Sequence, residues 1–94
     1  MGKALRQLKV YFSGRVQGIG FRYTVRTLAA GFDATGYVRN LADGRVEFAA
    51  EGDAAELEAF VDAIRDSEVG RFIRQEESHW HDASGEFRGF EIVR

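Results

Sequence analysis

The sequence predicts an α+β fold, with two helices packed on one face of a four- to five-stranded, antiparallel-rich sheet. Three observations predict it. Short apolar runs alternate with polar residues near positions 8–12, 35–41 and 46–50. Two further runs, from Phe21 to Phe32 and behind Asp53, repeat apolar residues at helical spacing. The resulting order is strand, helix, strand, strand, helix, strand, strand, which is the ferredoxin-like split βαβ arrangement.

Leu8, Val10 and Phe12 alternate with Lys9 and Tyr11, as a half-buried first strand does. Phe21, Val25, Leu28, Ala29 and Phe32 then form one apolar stripe, and Gly31 offers a C-terminal stop. Thr35–Leu41 reads as a second strand. Asp43-Gly44 marks a hairpin, and Val46, Phe48 and Ala50 alternate in a third strand that Gly52 breaks. Asp53 and Glu56 have the spacing of a capping box ahead of Leu57, Phe60, Val61 and Ile64. Glu56, Glu58, Asp62 and Asp66 form a solvated acidic face. Phe72 to Glu77 reads as a fourth strand at an exposed edge, and Phe90 with Ile92 as a short last one.

Composition narrows the function. The 94 residues are expected to form one domain, 1–94. No cysteine is present, which excludes disulfides, thiolate metal sites and cysteine nucleophiles. No apolar run spans a membrane, and Met1–Arg6 has no signal-like h-region. Gly2 does not sit in a myristoylation motif, because Arg6 stands where Ser or Thr is wanted. The expectation is therefore a cytoplasmic protein with no membrane partner, and a monomer. Net charge is −2 and the pI about 5.7, which weighs against a nucleic-acid partner.

The stretch Gly14-Arg15-Val16-Gln17-Gly18-Ile19-Gly20-Phe21-Arg22 links the first strand to the first helix. A glycine-rich turn there exposes N–H groups at a helix N-terminus, a generic anion cradle. It is neither a Walker A loop nor a dinucleotide fingerprint, since no Lys-Ser/Thr follows and Tyr23 stands where a third glycine is needed. By itself the loop fits a plain turn as well as a cradle. Arg22 breaks a local rule, because a cation in the first helical turn opposes the dipole by about 0.3–1 kcal/mol. An anion shared by the loop and a guanidinium fork would compensate it, and a solvated surface arginine is the competing reading. Asn40 is a second anomaly on the strand face of Gly36 and Val38. It either bonds the Asp43-Gly44 turn or handles a bound water.

These residues resemble a family. Gly14–Arg22 is similar to the first acylphosphatase signature, and Gly36-Tyr37-Val38-Arg39-Asn40-Leu41-Ala42-Asp43-Gly44-Arg45-Val46-Glu47 to the second, with Phe90 and Ile92 resembling the family's C-terminal pattern. The resemblance implies hydrolysis of acyl phosphates to carboxylate and inorganic phosphate, with no metal and no cofactor. It implies that Arg22 is the catalytic arginine and that the N–H groups of Val16, Gln17, Gly18, Ile19 and Gly20 bind the phosphoryl group. Asn40 would orient the attacking water. The chain departs from the family most around its fourth strand, where Gly70 and Gln75 replace a proline and an apolar residue and leave the register open.

Other classes fit less well. An RNA-recognition domain of the same fold needs aromatics on its exposed middle strands, whereas Phe12, Phe48 and Val46 face the core while Lys9, Tyr11, Arg45 and Glu47 face out. A catalytically silent phosphate-binding domain is a third reading. His79 and His81 around Trp80 would share a face on a strand and could meet a metal, but they read as an exposed polar loop. Tyr11 and Tyr23 are candidate rim residues.

Overall fold

The computed structural model describes residues 4–94, and the expectations drawn from Met1–Lys3, Gly2 included, lie outside them. The elements are β1 (Arg6–Gly14), α1 (Phe21–Ala29), β2 (Thr35–Asn40), β3 (Val46–Gly52), α2 (Ala54–Asp66), β4 (Ile73–Asp82) and β5 (Phe90–Ile92), with a 3-10 turn at Gly70–Phe72. The strands lie in the order β4-β1-β3-β2-β5. All neighbours are antiparallel except β2 and β5, so the sheet is mixed. β1 and β2 run parallel with β3 between them, as do β3 and β4 with β1 between them. Each pair is bridged by one helix, the split βαβ plan that the alternating and helical periods predict.

The core forms where the apolar strand faces meet the apolar helix stripes. Leu8, Val10, Phe12, Val38, Val46, Phe48 and Ala50 pack against Phe21, Val25, Leu57, Phe60 and Ile64. Phe48 is the hub: its ring lies 5.0 Å from Phe60, 5.8 Å from Phe90 and 6.4 Å from Phe12 between centroids. Tilted and edge-on ring pairs of this kind add to plain area burial.

Several local expectations are corrected. α1 ends at Ala29 by tightening, with N–H groups of Ala30, Gly31 and Phe32 bonding three residues back, and Gly31 is not left-handed. The Asp53 side chain does not cap α2. Glu56 instead accepts the Asp33 N–H at 3.0 Å, which ties α2 to the connection before β2.

β4 is longer than its side chains suggest. It runs through His79, Trp80 and His81, which lie in a paired strand and not in a polar loop. The reason is the backbone of β1, whose outer edge has N–H and C=O groups to satisfy from Arg6 to Gly14. Because little covers β4 on either face, no apolar period marks it. Its register is definite: Leu8 opposes Trp80, Val10 opposes Ser78 and Phe12 opposes Glu76, with an irregularity at Ser13/Gly14. Arg65 of α2 pins it further through Glu76, Nη2 to Oε1, at 2.7 Å. His79 contacts Glu77 at 2.7 Å, and among the described residues no cluster of three or more His, Cys, Asp or Glu side chains could hold a metal ion.

On the sheet's outer face Glu47 points away from the core, as expected, yet it is only 3% exposed. Arg39 donates to it through Nε, and Lys9 stands 3.8 Å away. Burial pushes the Glu47 carboxyl up, but hydrogen bonds from Arg39 and Tyr11 and the charges of Arg39 and Lys9 more than reverse this, leaving it lowered. Burial, then the Glu47 charge and a hydrogen bond to Glu47, pushes the Tyr37 hydroxyl up to about 12. This face presents an acid among aromatics and cations, with Arg45 4.6 Å over the Tyr11 ring. Glu51 is similar. Burial raises it, but donors from Ser84, Gln7 and Gly85 win, and the carboxyl is lowered.

Both carboxyls therefore titrate below their ordinary value in the folded chain. Their contribution is complete above that value and is lost as pH falls through the folded one. The urea midpoint should hold steady near neutrality and fall once pH drops below about 4.3, the ordinary glutamate value. Glu47→Gln should flatten that acid limb, as urea titrations across pH will read directly.

Candidate active site

The loop from β1 to α1 is pinned at both ends. Val16 is fully buried and Phe21 is 2% exposed, so the five residues Val16–Gly20 must turn within a short reach. Gly18 (φ 79°) and Gly20 (φ 83°) turn the chain through the left-handed region, which costs a residue with a Cβ roughly 1–2 kcal/mol. A Cβ at either would meet nothing within 4 Å, so conformation and not crowding requires glycine. Gly20 is also the N-cap of α1; no side chain caps the helix there and no acid stands in its first turn. The partial positive charge of the helix start is thus left unneutralised.

Among the described residues, the N–H groups of Val16–Gly20 take no part in the backbone hydrogen bonds outside the regular elements; the flanking bonds are Arg15 N–H to Phe72 and Thr24 N–H to Gly20. The loop is held instead by a side chain. The Gln17 amide donates to the carbonyls of Leu41 at 2.8 Å and Arg45 at 2.9 Å. Those carbonyls flank the β2–β3 turn, so one amide ties the loop to the end of the strand that carries Asn40.

The two anomalous residues of the sequence meet in space. Arg22 from α1 and Asn40 from β2 line one cleft with Val16, Gly18 and Gly20 of the loop. Phe21, Tyr23 and Ile92 of β5 complete it. Gln17 and Ile19 do not line it, since Gln17 faces the turn and Ile19 packs against the core. The cleft is small, about 170 Å³, well below the roughly 300–1,000 Å³ of pockets that enclose drug-sized ligands. Arg22 is its one charged lining residue.

Among the described residues Arg22 has no ion pair and Asn40 makes no side-chain hydrogen bond. The Asp43-Gly44 turn, one candidate partner of Asn40, closes on itself. Leu41 N–H bonds Arg45, Gly44 N–H bonds Leu41, and Asp43 accepts from the Arg45 N–H at 3.0 Å. A cation, an amide, loop N–H groups with no backbone acceptor and a helix start around one small cleft can hold a tetrahedral anion and a water beside it. Tyr23 is a rim residue, as expected, but Tyr11 lies on the outer sheet face beneath Arg45. The Gln17 bridge and the Ile92 wall went unread in the sequence. Both depend on which segments the sheet brings together.

Comparison with known proteins shows the family. The Acylphosphatase family model matches residues 8–92. An acylphosphatase of Acaryochloris marina is 42% identical over 91 residues, covering 93% of this chain and 92% of its own. One of Salinibacter ruber is 36% identical over 89 residues, covering 95% and 94%. The crystal structure of acylphosphatase from Bacillus subtilis superposes with a TM-score of 0.84 at 35% identity, over 95% of this chain and 99% of that one.

Gln17→Ala removes both side-chain hydrogen bonds to the turn carbonyls while leaving the loop backbone in place. It should cost about 1–3 kcal/mol of stability, read from denaturant unfolding. If the bridge carries nothing, the midpoint will stay at the wild-type value.

Proposed function

We propose, because the chain belongs to the acylphosphatase family, that it hydrolyses the carboxyl–phosphate bond of acyl phosphates, with Arg22 and Asn40 as its catalytic residues. The observation that carries this reading is the meeting of two side chains, Arg22 and Asn40, at one cleft beside the glycine loop.

In this reading the N–H groups of the loop residues that line the cleft, Val16, Gly18 and Gly20, and the Arg22 guanidinium hold the phosphoryl oxygens. Asn40 holds the attacking water, its amide both accepting from and donating to it. The water oxygen attacks phosphorus, and the bond from phosphorus to the acyl oxygen breaks. The electron pair leaves on a carboxylate whose conjugate acid has a pKa of about 4, so no general acid is needed. No carboxylate or imidazole lines the cleft, so the water's proton passes to a phosphoryl oxygen. What remains for the protein is placement and charge stabilisation, the main burden in phosphoryl transfer. The size of the cleft supports this division, because it suits a phosphoryl group and leaves the acyl end outside.

Purified protein should hydrolyse benzoyl phosphate in the presence of chelator. Arg22→Ala and Asn40→Ala should each lower kcat/KM by about 10²–10³, the usual cost of a lost transition-state donor. Far-UV circular dichroism should stay native in both. Arg22→Ala should also raise KM, since it removes ground-state phosphate binding. Wild-type rates in either variant would overturn these roles.

A further inference from the structure

A second groove adjoins the phosphoryl cleft, and it runs along the same seam between α1 and β5. It is larger, about 480 Å³, and is lined by Tyr23, Arg26, Thr27, Ala30, Ala34 and Phe90. Tyr23 belongs to both hollows. Phe90 and Ile92, two apart on β5, share one strand face, and each walls one of the two. The two are therefore neighbouring segments of one path along α1.

The chemistry of the path is graded. Ala30, Ala34 and Phe90 give the groove an apolar floor, and the exposed ring of Tyr23 stands at the junction. Arg26 is the groove's one charged residue. It lies one helical turn beyond Arg22, about 6 Å along the axis. Like charges at this spacing are unfavourable for the helix. The strand-to-strand segment α1 carries no acid to relieve them, and among the described residues Arg26 has no ion pair. Two uncompensated cations thus stand in series in a chain of net charge −2.

Resting on the acylphosphatase reading, we propose that this groove receives the acyl part of the substrate, and that Arg26 selects acyl phosphates carrying a second anionic group at the far end. With the phosphoryl group at Arg22, the acyl carbon emerges past Tyr23. A short apolar or aromatic stem then lies over Ala30 and Phe90, and a distal carboxylate meets the Arg26 guanidinium. Arg26 is a specificity-determining residue here and takes no part in bond making.

The test compares benzoyl phosphate with 4-carboxybenzoyl phosphate, which share a stem and a reacting bond and differ in one distal charge. It is read as the ratio of their kcat/KM values, which a general loss of activity does not move. The wild-type protein should favour the carboxylated compound by about 1.5-fold to fivefold, the range of an exposed ion pair. The preference should shrink in high salt. Arg26→Gln should bring the ratio to about one, and Arg26→Glu should bring it below one. An unchanged ratio in both variants, with both compounds turned over, would overturn the selectivity and leave the proposed reaction standing. Hydrolysis of neither compound by the wild-type protein would overturn the reaction itself and this proposal with it.

Discussion

One side-chain amide holds the two halves of the site together. Gln17 sits in the loop after β1 and donates to two carbonyls that flank the turn after β2. β1 and β2 are not neighbours in the sheet, because β3 lies between them. The tie joins the loop that offers N–H groups directly to the end of the strand that offers Asn40, in addition to the packing of Val16 and α1 against the common core. Two hydrogen bonds from a partly buried amide give the crossing a defined geometry. They add a second donor to carbonyls that already accept the Gly44 and Leu41 N–H groups.

The charge distribution follows a related logic. Buried acids are fully engaged: Glu47 is gripped by Arg39 and Lys9 on the outer sheet face, and Glu51 gathers donors from Gln7, Ser84 and Gly85 to hold the segment before β5. Arg22 and Arg26 on α1 are left unpaired among the described residues, at the edge of a chain with excess negative charge. Acids that stabilise the fold thus sit away from the cleft. The field at the cleft is set by the helix start and by arginine, in the sense that attracts an anion.

How much could be read in advance depended on whether a residue's environment was local. The α1 and α2 stripes and the β1 and β3 alternation were legible because one face of each is buried against a continuous core, which imposes its period on the sequence. Arg22 and Asn40 stood out because each breaks a local rule, a cation at a helix start and an amide on a buried strand face. β4 was legible only in part, since an edge strand with little cover carries no period, and the demand that extends it to Asp82 lies in the backbone of β1. The missing cap at Asp53 has the same cause: Glu56, expected to close the capping box, is drawn to the Asp33 N–H by tertiary proximity.

The sequence by itself determined the order of elements, the core faces and the two segments from which a site could be made, because periodicity and glycine chemistry act over a few residues. The tertiary structure decided how those segments meet. It brought Arg22 and Asn40 to one cleft, turned Gln17 from a loop residue into a brace, and laid β5 beside α1 to wall a groove that ends at Arg26. Those relations are set by strand order and helix placement. They arise only when the whole sheet closes around Phe48 and its neighbours.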